Sequence, residues 1–318
     1  MSTNLSTDFA GKNISLKAGY VAAQADGSIL VYYGETVVLV TAVSLKSIRE
    51  GVDFLPLTVD YQEMTFAAGK IPGGFFKREG RPNEREILTS RIIDRAIRPL
   101  FPKGYYSETQ LVATLLSVDK ENDADVASMI GASAALEISD IPFKGPIAGV
   151  RVGRINGAFV CNASSDMMKE SEMSLFLVGR KVTPGSSGRP YDVELVMVEG
   201  EANEVPEDVI VEAIQFGLEA VRPVIDLQDQ LREKVGKAKR PVEEPVLDEE
   251  LVGRVKAEAM QGLKEAYGMP RKLERYSKLD DVRSAVVKNI GGEDEALCKK
   301  VAAIIENLER RILRDMII

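Results

Sequence analysis

After residue 246 every strand signal in this chain stops. Before that point, residues 13–17, 28–33, 36–45, 54–61 and 110–118 are rich in Val, Ile, Leu, Tyr and Thr, with Gly or Asp between them, as in short strands. Asp26-Gly27 has the composition of a hairpin turn. Residues 125–138 repeat Ala, Ser, Met and Gly on a helical period. A second strand set follows at 147–154, 158–162, 173–178 and 193–198, with a turn at Asn156-Gly157. Pro206 suits the first turn of a long amphipathic helix, and a helical pattern resumes after Pro223 to about residue 236. Residues 239–245 contain Pro241, Pro245 and a single large apolar residue, Val242, and read as a linker. Beyond them, 251–267, 272–288 and 295–318 read as three helices, broken at Gly268/Pro270 and at Gly291-Gly292. The expectation is an α+β domain over 1–238 and a small all-helical domain over 239–318. The last helix ends on Asp315-Met316-Ile317-Ile318 without a glycine cap, as expected of a segment cut from a longer chain.

The 318 residues include no histidine. A serine–histidine triad, a histidine general base and a histidine zinc site are therefore excluded. The two cysteines, Cys161 and Cys298, are far apart in sequence and are expected to be inert thiols of a reducing compartment. The first ten residues lack the basic flank and apolar stretch of a signal peptide, and no apolar run approaches the length of a bilayer span. A cytoplasmic protein with no membrane contact is expected. Net charge is −8, yet residues 70–103 hold nine bases (Lys70, Lys77, Arg78, Arg81, Arg85, Arg91, Arg95, Arg98, Lys103) against four acids. A basic island on an acidic chain points to a local anion site.

Within that island lies Ala67-Ala68-Gly69-Lys70-Ile71-Pro72-Gly73-Gly74-Phe75-Phe76-Lys77-Arg78-Glu79-Gly80-Arg81-Pro82. Its glycines and prolines rule out a long helix or strand interior, so the segment must project as a loop. Two phenylalanines followed by two cations suit a single-stranded nucleic acid, which offers bases to stack and phosphates to neutralise. The alternative is that the phenylalanines fold back into the core. A helix follows, with Asn83 and Glu86 spaced as a capping box and Pro99 ending it. Leu88, Ile92, Ile93, Ala96 and Ile97 would share an apolar face, and Arg91, Arg95 and Arg98 fall within about 60° of one another roughly opposite it. Such a stripe either meets anions or is a solvated face with surface salt bridges. Glu35, Asp53, Asp60 and Asp119 lie singly near strands or strand ends and are expected to be solvated; no metal ligands are assigned.

Gly69-Lys70-Ile71-Pro72-Gly73 through Phe75-Phe76-Lys77-Arg78-Glu79-Gly80-Arg81-Pro82 resembles the first core of bacterial polynucleotide phosphorylases. So do Arg91-Ile92-Ile93-Asp94-Arg95 with Ile97-Arg98-Pro99-Leu100-Phe101-Pro102, the stretches 54–63, 129–136 and 141–146, and more weakly Glu274-Arg275-Tyr276. The resemblance covers nearly the whole chain. It implies an RNase PH-like core, with mixed sheets and packed helices, followed by a helical domain. The parent enzyme it implies is a homotrimeric 3′→5′ phosphorolytic exoribonuclease of mRNA degradation, with RNA-degradosome partners possible. In such an enzyme inorganic phosphate attacks single-stranded RNA and releases nucleoside diphosphates, with Mg²⁺ as cofactor. The family's channel loop of two phenylalanines and two arginines maps onto Phe75, Phe76, Lys77 and Arg78, with Arg81 beside them. Lys77 departs from the pattern and loses the planar fork. The family's activity-linked arginines near the core interface map onto Arg91, Arg95 and Arg98.

The catalytic half is expected to be elsewhere. In the family's second core a Gly-Ser-Ser-Ser stretch at a helix start holds phosphate; here the same place reads Asn122-Asp123-Ala124-Asp125. A helix start attracts anions, and two aspartates are expected to cap it themselves and repel phosphate. The metal-binding aspartates of that second core have only Glu108 as counterpart in 103–108. No catalytic residue is therefore assigned, and this segment is expected to be inactive alone. Two rivals are a self-sufficient RNase PH-type enzyme and a non-catalytic assembly scaffold.

Overall fold

In the computed structural model, which describes residues 2–182, 192–242 and 248–318, the amino-terminal strands build a six-stranded sheet. They are β1 (Thr3–Phe9), β2 (Lys12–Ala18), β3 (Gly27–Tyr33), β4 (Thr36–Ser44), β5 (Leu57–Glu63) and β6 (Thr109–Ser117), in the order β1-β2-β3-β4-β6-β5. Alternation sets the faces: Val38, Val40 and Ala42 of β4 are buried while Val37, Leu39 and Thr41 are only half-buried. Every pairing is antiparallel except β5 with β6. A parallel pair needs a long crossover, and here it contains the glycine-rich loop and helix α1 (Glu84–Ile97). The topology thus places the whole basic island in one connection at a sheet edge.

Helix α2 (Ala124–Ile138) is buried at all fifteen positions and packs on β3, β4 and β6. It also packs on β7 (Ile147–Ile155) of a second sheet. That sheet is completed by β8 (Ala158–Cys161), then, after the short helix α3 (Ser165–Met168), by β9 (Met173–Lys181) and β10 (Val193–Ala202). Its order is β10-β9-β7-β8, all antiparallel. Helix α4 (Glu207–Val235) covers β1, β7 and β9.

Three local expectations are corrected. Asp26-Gly27 is not a tight hairpin turn: residues 19–26 separate β2 from β3, and Gly27 already lies within β3. A Cβ at Gly27 would collide with the Ala135 carbonyl oxygen, so glycine is required there for α2 to approach the sheet. Pro223 does not interrupt α4, because Val221, Val224 and Ile225 around it are fully or almost fully buried and outweigh one lost hydrogen bond. Strand β1, absent from the sequence reading, is joined to β2 by the two-residue turn Ala10-Gly11, with both φ angles positive.

The chain divides into two compact units, Met1–Glu244 and Pro245–Ile318. That division falls six residues beyond the expected boundary at 238, since Lys239 and Arg240 are tied to the first unit. Lys239 Nζ donates to the carbonyls of Leu136, Glu137 and Ser139, and Arg240 reaches Asp140 at 2.9 Å. The rest of the expected linker, 243–245, lies outside the described residues. The second unit holds three helices, α5 (Glu249–Tyr267), α6 (Lys272–Gly291) and α7 (Glu295–Ile317). They enclose Val255, Ala259, Leu263, Leu279, Val301 and Ile305. Asp248 caps α5 and Asp294 caps α7. Among the described residues no helix is long and apolar enough to cross a membrane.

Candidate functional site

The crossover from β5 starts with a 3-10 turn, Thr65–Ala68, ended by Gly69 in the left-handed region. The loop then leaves the surface and returns at Glu79. Both carboxylate oxygens of Glu79 accept from Thr65, one from its backbone N–H at 2.9 Å and one from its hydroxyl at 2.7 Å. These bonds hold the Glu79 carboxyl below its ordinary range and pin the two ends of the loop together. Beyond the pin Phe75 is 93% and Phe76 82% exposed, so the phenylalanines do not fold back into the core. Their rings meet edge to face, centroids 5.5 Å apart, and positive φ at Gly74 and Lys77 turns the backbone on either side of them. Lys70, Lys77, Arg78 and Arg81 are exposed, and none has an ion-pair partner among the described residues.

Helix α1 carries the expected capping box. Glu86 N–H donates to Asn83 at 2.9 Å, and Asn83 N–H donates to Glu86 at 2.7 Å. Its buried face is Thr89, Ile93, Ala96 and Ile97. Leu88, expected on that face, is half exposed, because the face is rotated toward Thr89. Ile87 and Leu88 therefore line an open groove of about 1310 Å³ with Arg91, Arg95 and Arg98. The three arginines are not equivalent. Arg95 pairs with Glu199 at 2.7 Å. Arg98 takes both oxygens of Asp94 and donates to the carbonyls of Leu55 and Leu57, fastening the entry to β5. Only Arg91 of the stripe is left without an ion-pair partner among the described residues.

At the start of α2 the aspartates do not act as expected. Asp123 stands at the N-cap position with extended backbone, but its side chain makes no capping bond. Asp125 Oδ1 accepts only from the adjacent Val126 N–H. The carboxylates face arginines instead: Arg151 on β7 pairs with Asp125 and lies 3.7 Å from Asp123, while Arg85 on α1 reaches Asp123 at 3.4 Å. The guanidinium of Arg151 also lies 5.4 Å from the centre of the Phe176 ring. Burial and the charge of Asp125 push the Asp123 carboxyl above its ordinary range despite both arginines. The arginines at the start of α2 are thus engaged by carboxylates of the chain itself.

Three family models match the chain. "3′ exoribonuclease family, domain 1" covers residues 10–142, "3′ exoribonuclease family, domain 2" covers 145–220, and "Polyribonucleotide nucleotidyltransferase, RNA binding domain" covers 250–318. The polyribonucleotide nucleotidyltransferase of Syntrophus aciditrophicus (strain SB) is 64% identical over 318 residues, all of this chain and 45% of that protein. The one from Geobacter sp. (strain M21) is 46% identical, over 97% of this chain and 43% of its own length. The chain belongs to the polyribonucleotide nucleotidyltransferase family. It spans less than half the length of these curated relatives. The crystal structure of rice (Oryza sativa) Rrp46 superposes with a TM-score of 0.54 at 16% identity, covering 69% of this chain and 94% of that one. That likeness concerns the fold, which is RNase PH-like and α+β.

For a polyribonucleotide nucleotidyltransferase segment, sequence reasoning missed three residues that shape the site. Glu79 was a lone acid among loop cations, and such an isolated counter-charge is the signal for a pin. Arg151 was a cation inside the apolar run of β7, where a partner is obligatory. Arg85 was counted only among the cations of the island, although Glu63 on β5 lies 3.4 Å from it. The single carboxylates have structural work. Asp119, expected to be solvated, accepts the N–H groups of Glu35, Glu121 and Asn122 and the Asn122 side chain. Asp60 accepts from Gln110. Glu35 and Asp53 are exposed or half-exposed without a side-chain partner among the described residues. Burial raises the Cys161 thiol to about 11, so it is protonated at neutral pH.

Proposed function

We propose that this chain is the RNA-handling core of a 3′→5′ phosphorolytic exoribonuclease of mRNA degradation, and that it has no activity alone. One observation carries the reading: two exposed phenylalanines and four unpaired cations share a pinned loop, while carboxylates held by arginines occupy the start of α2. Phe75 and Phe76 stack bases, and Lys77, Arg78 and Arg81 hold phosphates. In the whole enzyme inorganic phosphate attacks the terminal phosphodiester, the 3′ oxygen of the shortened RNA leaves, and a nucleoside diphosphate is released. Arg91, Arg95 and Arg98 line the groove toward the core where that reaction occurs. The reading extends to a cytoplasmic homotrimer with RNA-degradosome partners.

Magnesium belongs to the part of the enzyme outside this chain. The donor set here does not fit a divalent cation: Glu108, the one acid at the expected place, pairs with Arg49 at 2.6 Å, and the carboxylates of Asp123 and Asp125 are engaged by two guanidiniums. Among the described residues no three acidic or cysteine side chains converge.

The test is fluorescence anisotropy of this chain with labelled poly(A) across a salt series. Four phosphate contacts give a slope of about −3 in log K against log salt, at roughly −0.7 per contact on a single strand. A chain that binds no RNA at low salt is an assembly scaffold. Release of nucleoside diphosphates by this chain with phosphate would make it a self-sufficient enzyme and overturn the assignment. In the full-length enzyme, Phe76→Ala is expected to raise KM for long RNA several-fold and leave cleavage of very short oligonucleotides unchanged. Equal losses on both substrates would place Phe76 in the chemistry.

A further inference from the structure

The second unit carries as many bases as acids between Asp248 and Ile318, but they are not evenly spread. Four of its bases, Arg271, Lys272, Arg275 and Lys278, fall within eight residues that hold one acid, Glu274. These residues form the first two turns of α6 and the position before it. None of them is buried; Leu279 is the first residue of α6 to enter the core. The helix start therefore projects beyond the bundle, with Leu273 83% and Tyr276 50% exposed. Lys272 and Arg275 flank the Tyr276 ring, 5.6 and 5.9 Å from its centre. Glu274 is spent on Arg271 at 3.2 Å. Arg275 also donates to the Met269 carbonyl at 3.0 Å, while Lys272 and Lys278 have no ion-pair partner among the described residues, and cations in a first helical turn oppose the helix dipole. It resembles the loop of the first unit in chemistry: an exposed aromatic ring and an apolar side chain among excess cations.

We infer that the projecting start of α6 is a second contact for single-stranded RNA, with Tyr276 stacking a base and Lys272, Arg275 and Lys278 neutralising the phosphates beside it. The inference rests on the RNA-handling reading above and adds a site to it. Charge complementarity selects a polyanion over a neutral partner, and the half-open tyrosine ring selects one with unstacked bases. The family model matched over 250–318 is described as an RNA binding domain but singles out no face of the bundle. A contact through Lys272 and Lys278 adds about −1.4 to the salt slope, at roughly −0.7 per phosphate.

The test compares this chain with two variants, Tyr276→Ala and Lys272→Glu/Lys278→Glu, using fluorescein-labelled A20. Phe75→Ala/Phe76→Ala serves as an independent arm. Thermal melts check folding; the substituted positions lie before the first buried residue of α6, so unchanged melts are expected. The inference expects Tyr276→Ala to weaken binding about fivefold or more, as loss of one stacked base does. The double charge reversal should weaken it at least tenfold and flatten the salt slope. In addition, 5-iodouridine-containing RNA should crosslink to the peptide that holds Tyr276. Full affinity in both α6 variants, with loss only in the loop arm, overturns this inference and leaves the RNA-handling reading standing. No affinity in the unmodified chain overturns both. A change in oligomeric state of the α6 variants with RNA affinity intact would make the patch a protein interface and overturn the inference.

Discussion

Replacing Phe75 and Phe76 together by alanine is expected to weaken binding of this chain to poly(A) by one to two orders of magnitude and to leave its melting temperature unchanged. The two halves of that expectation have one cause. At 93% and 82% exposure the rings bury almost nothing in the fold, and surface changes away from packing or hydrogen bonds stay within about 0.5 kcal/mol of neutral. Stacking contributes about 1–3 kcal/mol per base, and the edge-to-face contact between the rings means the two losses will not simply add. Phe75→Trp/Phe76→Trp should restore affinity because it keeps the π faces. Phe75→Leu/Phe76→Leu should not, although it keeps apolar area. Equal affinity for the alanine and tryptophan variants would mean that the rings contact no base.

What was legible in the sequence followed the strength of local signals. The capping box of α1 was readable because Asn83 and Glu86 satisfy each other within one turn. The three helices of the second unit were readable because each ends at glycine or begins at an aspartate cap. Strand β1 was not: it is an edge strand whose residues alternate between exposed and half-buried, and only Leu5 and Phe9 are large and apolar. Helix α2 was readable from small residues repeating on a helical period, but burial on every side leaves it no polar face that would have told which way it packs.

The site divided along a different line. Projection of the phenylalanine loop was foreseen because glycine and proline exclude a long helix or strand there, whereas exposure of the two rings was one of two alternatives that the structure decides. The roles of Arg85, Arg98 and Arg151 were not foreseen, because they depend on neighbours brought together by the fold: Asp123, the carbonyls of Leu55 and Leu57, and Asp125. Charge counting treats every arginine as available for a ligand; pairing decides which are. Lys70, Lys77, Arg78, Arg81 and Arg91 remain available.

That distinction is sharpest at Arg151, whose replacement by methionine is expected to cost the first unit about 3–5 kcal/mol, the range for breaking a buried pair and leaving charge behind. Its side chain is 23% exposed, and it is the closest cation to Asp125, itself 10% exposed, while also facing Asp123. Arg85 cannot substitute, because it approaches only Asp123 and is shared with Glu63. For a domain of this size the loss corresponds to roughly 10 °C in Tm. The pH dependence identifies the cause. Without Arg151 the Asp123 carboxyl loses a guanidinium that opposes its upward shift, so in the fold it titrates further above its unfolded value, as burial and the charge of Asp125 already make it do. Between the unfolded and folded values the native state holds more protons, so stability falls as pH rises through that window. The deficit of Arg151→Met relative to the parent chain should therefore be larger at pH 7.5 than at pH 4.5 in urea melts. Adding Asp125→Asn should recover much of it at pH 7.5, since asparagine still offers an oxygen to the Val126 N–H while removing a stranded charge. An equal deficit at both pH values, with no recovery in the double variant, would mean that Arg151 acts through packing on Phe176 and not through the aspartates.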